Sequence, residues 1–191
     1  MIDRYPFRVD LLSPLAIGTG EPTLIADDSV TRRHDGLPMI PSTSLKGAIR
    51  DLIRTSSLPP ELWHQAFGQP DGATSSVIIT DAVATPEATT NLITTVALDE
   101  RRVARIGALA TIEVVDTSPD PSRPVAFHGQ VLASPTAPPE LARRAVGLTL
   151  LGLSAIRSLG SRTRRGWGQV RVALAPPSAA LAREYIEEFS R

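Results

Sequence analysis

Hydrophobic and polar positions alternate from Tyr5 to Leu12. Phe7, Val9 and Leu11 fall on one side, and Arg8 and Asp10 on the other. A period of two predicts a half-buried first strand. Ser13-Pro14 breaks it, and Leu15 to Gly20 continues as a short apolar run into a glycine turn. Residues 21–37 are polar and turn-rich. Asp35-Gly36 is a tight-turn pair, so this stretch predicts a loop with a short hairpin that delivers the chain to Met39-Ile40-Pro41. There the period changes. Leu45, Ala48, Ile49, Leu52 and Ile53 recur at helical spacing, with Arg50 and Arg54 off the stripe. Ser42, Thr43 and Ser44 each offer an N-cap hydroxyl. Ser56 to Pro60 reads as a linker. Glu61 to Phe67 reads as a short helix with Leu62, Ala66 and Phe67 inward, and Trp63 also reads as core. Gly68 to Ser76 reads as a loop.

Val77 to Ala82 predicts a buried strand. Residues 83–106 are mixed and threonine-rich, and carry Asp99-Glu100-Arg101-Arg102. Ala108–Val115 and Val125–Leu132 predict two strands joined by a proline-rich loop and paired as a hairpin. Pro138-Pro139 opens a second long helix that is expected to end at Leu159-Gly160. Its apolar residues wrap most of the circumference, so it should be heavily buried. Gln169 to Leu174 predicts the last strand. Ser178 is then expected to cap a terminal helix over 178–191, with Leu181, Tyr185, Ile186 and Phe189 on one face. The order β, α, β, β-hairpin, α, β, α predicts an α+β fold in a single domain, compatible with a ferredoxin-like split βαβ pattern carrying insertions.

A length of 191 residues suits one domain with a sizeable core, or one domain with a large insertion. A hydrophobic share of 42% argues against disorder. The absence of cysteine excludes disulfides, thiol catalysis and cysteine-ligated zinc, and fits a cytoplasmic protein. Residues 1–6 show no basic-then-apolar signal pattern. The longest apolar stretch, Ala145 to Ile156, is interrupted and too short to span a bilayer. Net charge is zero, which argues against a free-standing, non-specific nucleic-acid binder. It is tolerable for a subunit that presents one basic strip and buries other surfaces against neighbours. The arginines do cluster, at Arg32-Arg33, at Arg101-Arg102 with Arg105, at Arg143-Arg144 and from Arg157 to Arg165. That bias equally suits a GC-rich genome.

Two stretches carry candidate chemistry. Pro41 to Arg50 runs from a loop into a helix and includes Lys46, the only lysine in the chain. A helix N-terminus with nearby hydroxyls, a lysine and the side-chain-free Gly47 would seat a phosphate; the same residues also describe a well-capped structural helix. Gly160 to Gly168 holds three glycines and three arginines in nine residues. The glycines allow close approach and the arginines supply bidentate donors to a polyanion. A plain helix C-cap followed by a turn is the alternative. Trp167 would either stack on a base or pin its own loop to the core. The loop lacks the GKS or GKT ending of a P-loop, and no serine sits in a GxSxG elbow. His34, His64 and His128 are scattered, so zinc is unsupported; His34 reads as an exposed loop residue or as an acid-base group.

Ile40-Pro41-Ser42-Thr43-Ser44-Leu45-Lys46-Gly47 with Arg50 resembles the signature "IPGSSLKG..R" of the RAMP superfamily of CRISPR-associated proteins. Ser42 stands where that family usually has glycine. Gly160 to Gly168 resembles the family's C-terminal glycine-rich loop, with Trp167 where phenylalanine is more usual. Leu11 to Gly20, Phe67-Gly68 and Val77 to Ala82 also fit in order, so the resemblance spans most of the chain. It is closest to the repeated backbone subunits of type III effector complexes.

The resemblance implies a ferredoxin-like (RRM-like) fold with insertions that packs along a guide RNA (crRNA) in antiviral defence. Guide contacts would come from Ser42, Ser44, Lys46, Gly47 and Arg50. The second set would be Gly160, Arg162, Arg164, Arg165, Gly166, Trp167 and Gly168. Partners would be target RNA, other RAMP subunits and copies of the chain itself in a filament, with no membrane. Residues 83–106 correspond to a thumb-like insertion, here short. An aspartate before the signature helix supports metal-dependent target cleavage in the family. Counting to Val30, the match is Asp27, and Asp28 is the alternative because the loop is short. Asp27 would be the ligand of a Mg2+ ion. Asp27-Asp28 also reads as a solvated turn pair. Two other readings stand beside this one: a non-catalytic RAMP scaffold subunit, and a guide-processing endoribonuclease using a histidine.

Overall fold

The computed structural model describes residues 3–54, 64, 66–68, 75–98, 100–101, 103–120 and 122–189. In chain order the elements are β1 (Arg4–Leu11), β2 (Met39–Ile40), α1 (Ser42–Arg54), β3 (Val77–Ile79), β4 (Ala82–Ala84), β5 (Thr90–Leu98), β6 (Ala104–Val115), β7 (Ala126–Ala133), α2 (Pro139–Ala155), a 3₁₀ turn (Thr163–Arg165), β8 (Val170–Leu174) and α3 (Pro176–Phe189). Of the expected helix at Glu61–Phe67, His64, Ala66 and Phe67 are helical. Leu62, Trp63 and most of the loop before Ser76 lie outside the described residues.

A six-stranded sheet runs in the order β2-β4-β7-β1-β8, with β3 also on β7. All its pairings are antiparallel. The alternation in β1 holds for buried Phe7, Val9 and Leu11 and for exposed Arg8, but Asp10, expected on the outer side, is buried as well, with its carboxylate paired to Arg8. The helices lie over the sheet and one another, α2 on β3, β7 and β8, α3 on β1 and β8, and α1 on α2 and β3. One contiguous core joins Val9, Leu45, Ile49, Phe127, Leu150 and Leu153.

β3 and β4 are two halves of one bent strand along β7, with β2 continuing the sheet beyond β4. Between them the Thr80 N–H still donates to Gln130 O, and the Thr80 hydroxyl accepts the Gln130 N–H at 2.9 Å. The hydroxyl stands in for a ladder carbonyl, which releases Asp81 from the pairing. Asp81 Oδ1 then accepts the Ser42 N–H at 2.7 Å. The expected hydroxyl N-cap is therefore corrected: α1 begins at Ser42 itself, and a carboxylate from the bent strand serves its first N–H.

The expected hairpin between Ala108–Val115 and Val125–Leu132 does not form. β6 pairs with β5 in a separate two-stranded sheet, Leu92 facing Glu113 and Thr95 facing Ala110. β7 pairs instead with β1, β3 and β4. Burial explains the choice. Phe127 and Val131 fill the main core, whereas Ile112 and Val114 pack with Ala16, Ile93 and Trp167 in a second small cluster. The threonine-rich stretch after residue 83 thus supplies a strand; β-branched threonine suits one where apolar alternation is weak.

α2 also ends earlier than its apolar pattern suggests. Ile156 is extended, and it and Leu159 reach the core from non-helical backbone. Arg157 donates to Ser154 O at 2.8 Å and to Ile156 O at 3.1 Å, which serves carbonyls left open at the helix end. Ser178 is not a cap. α3 starts at Pro176, and the buried Ser178 hydroxyl donates to Pro6 O at 3.0 Å. No helix among the described residues is long and apolar enough to cross a membrane.

Candidate nucleic-acid interface

Three segments converge on a cleft of about 740 Å3: one face of α1 from Ser44 to Leu52, residues 16–20, and the end of α2 with the chain that follows it. Its lining includes Gly18, Asp28, Ser44, Gly47, Ser161 and Thr163. The two stretches singled out in the sequence, far apart in the chain, thus share one concavity. The loop is closed by backbone pairing. Leu159 N–H donates to Gly168 O, and Val170 N–H to Arg157 O, both at 2.9 Å. Ser161 N–H and Gly168 N–H then dock onto Ala16 O and Pro14 O.

The glycines divide by role. Gly160 and Gly168 have φ of +79° and +65°. A Cβ there would lie 2.2 Å from Ala16 O and 1.9 Å from Leu159 O, respectively. The fold itself requires both. Gly47 differs: it sits in a helix, and among the described residues nothing lies within 4 Å of where its Cβ would be. A helical glycine costs roughly 0.5–1 kcal/mol relative to alanine, so the fold is not what calls for it.

The basic residues divide too. Among the described residues no side-chain hydrogen bond or ion pair is made by Lys46, Arg50, Arg164 or Arg165. Arg164 and Arg165 lie exposed on the 3₁₀ turn. Arg162 is turned inward. Its guanidinium donates to Thr95 Oγ1 at 3.2 Å and lies 5.5 Å from the Trp167 ring centroid. Trp167 is half-buried against the cluster of Ala16, Ile112 and Val114. Ser42 is half-buried at the start of α1 with its N–H on Asp81. Ser44 and Leu45 N–H both donate to Pro41 O. Little of the helix N-terminus is left open to an anion, and the carboxylate already there would repel one. The motif meets the cleft through Ser44 and Gly47 instead.

Asp27 and Asp28 part company at the edge of β6. Asp27 is exposed, its N–H donates to Thr111 O at 2.8 Å, and its Oδ2 accepts the Thr111 N–H at 2.6 Å. Asp28 O accepts the Glu113 N–H, while its carboxylate turns to the cleft and accepts the Gly20 N–H at 3.1 Å. It lies so close to Gly18 that a Cβ there would be 1.9 Å from Asp28 Oδ1. Among the described residues no three His, Cys, Asp or Glu side chains gather as a metal site. A hydrated magnesium ion needs only one or two carboxylates when phosphates supply the rest, and Asp27 can offer one.

Glu113, unremarked in the sequence, ties this loop to β6. It accepts the Val30 N–H at 3.0 Å and pairs with Arg32, which also reaches Gly36 O and Thr90 Oγ1. Burial pushes the Glu113 carboxyl up, but hydrogen bonds from Thr90, Val30 and Arg32 outweigh it and hold it below the ordinary range. Arg33 holds Asp35 at about 2 across the adjoining turn. His34 in that turn, His64 and His128 on β7 are all exposed and do not share the cleft. The signals missed in sequence, Asp81 and Glu113, are ordinary carboxylates whose partners lie 39 and 81 residues away.

The architecture and cleft define an α+β protein whose antiparallel sheet carries a glycine-rich loop facing a helix start. A family model described as the RAMP superfamily matches residues 8–171. The chain belongs to the RAMP superfamily. A search of curated protein sequences finds no match. Among solved structures, a chain of the apo state of Type III-B Cmr-beta superposes with TM-score 0.71 and 13% identity, covering 92% of this chain and 98% of that one. A chain of Type III-B Cmr-beta bound to cognate target RNA superposes with TM-score 0.62 and 17% identity, covering 89% of this chain and 59% of that one. At these identities the likeness is one of fold.

Proposed function

We propose that this chain is a guide-RNA-binding subunit of a type III CRISPR ribonucleoprotein, built on a ferredoxin-like core. The strand sequence β8, β1, β7 and bent β3–β4 strand is what a split βαβ pattern produces. The observation that carries the reading is Gly47: a helical glycine the fold does not need, opening onto the cleft that the glycine-rich loop shares. Bare backbone there suits close approach by a bulky chain. Lys46, Arg50, Arg164 and Arg165, without a side-chain partner among the described residues, are suited to phosphates. Such contacts read backbone and shape, leaving sequence to base pairing. The test is RNA binding across salt concentrations for Lys46→Ala and for Arg164→Ala with Arg165→Ala. Both should lose affinity and flatten the salt dependence; unchanged affinity in both would reject the reading.

Assembly with other RAMP subunits, or with further copies in a filament, belongs to the same proposal. Leu24 and Ile25 stand exposed in the loop before Asp27, as do Leu92, Val96 and Leu109 on one face of the β5–β6 hairpin. Those apolar side chains suit neighbouring subunits. The cell interior is where such a particle would work.

A second reading, metal-dependent cleavage of target RNA, is favoured by Asp27. Its carboxylate is exposed and its direction is fixed by Thr111. A Mg2+ held there would supply charge stabilisation at a target phosphate.

A further inference from the structure

We infer that Arg162 is a positioning residue: it fastens the glycine-rich loop to the β5–β6 hairpin and leaves phosphate neutralisation to Arg164 and Arg165. This inference rests on the guide-binding reading.

Four observations carry it. Arg162 is the one non-glycine residue with positive φ among the described residues, at 60°. A side-chain-bearing residue holds that conformation at a cost, and does so where its surroundings impose it. Its guanidinium reaches Thr95 on β5, and the Thr95 hydroxyl donates onward to Ala110 O on β6 at 3.3 Å. The loop is therefore tied to both strands of the hairpin through one hydroxyl. The same guanidinium lies near the Trp167 ring, a cation–π arrangement. Trp167 packs on the cluster of Ala16, Ile112 and Val114, and Ile112 lies on β6 two residues from Ala110, the partner of Thr95, on the same face of the hairpin. Arginine and tryptophan thus grip one face of the hairpin together.

The rest of the hairpin's anchorage lies elsewhere. Leu15 pairs with Val115, Asp27 with Thr111, and Glu113 holds Val30 and Arg32. Those ties bind β6 to the loop before α1. Arg162 with Trp167 binds the hairpin to the glycine-rich loop. Its loss would let the hairpin move relative to Arg164 and Arg165 without removing a charge that faces RNA.

The test uses the full chain in two arms. In RNA-free protein, amide hydrogen exchange is followed at Thr94–Val96 and Ala110–Thr111 for wild type, Arg162→Ala, Arg162→Gly, Thr95→Val, Thr95→Ser and Arg164→Ala. Arg162→Ala, Arg162→Gly and Thr95→Val should exchange faster there, and Thr95→Ser and Arg164→Ala should match wild type. Arg162→Gly relieves the backbone cost, so it keeps this arm informative where Arg162→Ala folds poorly. Unchanged exchange in both Arg162 variants overturns the inference. In the second arm a single-stranded RNA oligonucleotide is bound across salt concentrations. Each phosphate contact on single-stranded nucleic acid adds about 0.7 to the slope of log affinity against log salt. Arg164→Ala and Arg165→Ala should each flatten the slope by about that amount. Arg162→Ala and Thr95→Val should weaken binding with the slope intact, and the double variant should be no worse than either single one. A flattened slope in Arg162→Ala with wild-type behaviour in Thr95→Val overturns the inference. Wild-type binding in the Arg164 and Arg165 variants rejects the guide-binding reading instead, and the exchange arm still decides the tie itself.

Discussion

Asp81 Oδ1 accepts the backbone N–H of Ser42 at 2.7 Å, so the helix bearing Lys46 and Gly47 begins against a carboxylate from the bent β3–β4 strand. The arrangement links register to site. Were Thr80 not taking a ladder position with its hydroxyl, Asp81 would remain in the pairing and the start of α1 would lose its partner.

Asp81→Ala should therefore cost about 1 kcal/mol, the usual value of a helix cap. Thermal unfolding should show a melting temperature lower by several degrees, and Asp81→Asn, which keeps an acceptor, should recover most of it. An unchanged melting temperature in Asp81→Ala would contradict the capping role.

Glu113 makes the loop before α1 sensitive to acid. Its carboxyl lies below the ordinary value of 4.5, so the folded state binds fewer protons there than the unfolded state. The stability it contributes is present above that value and is lost as pH falls through the folded one. Glu113→Gln should weaken the protein at neutral pH and shrink the stability lost below about pH 4.5. Chemical denaturation at neutral and acidic pH measures this; an identical acid loss in the variant would remove Glu113 as the cause.

Asp27→Asn keeps an oxygen for the Thr111 N–H but removes the negative charge. If Asp27 holds the metal, this variant in an assembled complex should stop target cleavage and leave guide and target binding near wild type. Chelation should have the same effect. Asp28→Asn should do less, since its carboxylate is directed at Gly20. A labelled complementary RNA with and without magnesium reads all three. Full cleavage by the double variant would exclude both carboxylates.

Leu109 is 66% exposed, and Ile25 is 70% exposed. Ile25→Asp and Leu109→Glu should leave the unfolding free energy within about 0.5 kcal/mol of wild type, as surface changes do. If these side chains meet other RAMP subunits, co-purification with such subunits should fall. Undiminished recovery in the double variant would place the contact surface elsewhere.

The sequence carried its local features well and its long-range ones poorly. The alternation of Phe7, Val9 and Leu11, the apolar stripe from Leu45 and the two motif stretches are read within a few residues of chain. The partner of β6 is not. Ala108–Val115 and Val125–Leu132 both look like strands, and only tertiary packing decides between them: Ile112 and Val114 against Trp167, Phe127 in the main core. The end of α2 is hidden because Ile156 keeps its place in the helical pattern while its backbone is already extended. Ser178 follows two prolines as a cap would, yet Pro176 starts the helix and the hydroxyl serves β1. Of the candidate site, the two stretches stand out locally, but the direction their side chains take does not. Nothing local tells the inward Arg162 from the outward Arg164 and Arg165.

The central claim is that the cleft between α1 and the glycine-rich loop takes RNA, and Gly47 tests it most directly. Nothing among the described residues opposes a side chain there, and alanine or leucine in a helix is favoured over glycine by roughly 0.5–1 kcal/mol. Melting temperature and guide-RNA affinity should be measured together for Gly47→Ala and Gly47→Leu. The account predicts melting temperatures at or above wild type, with RNA affinity falling in Gly47→Ala and further in Gly47→Leu. Stable variants that bind RNA with wild-type affinity would contradict it.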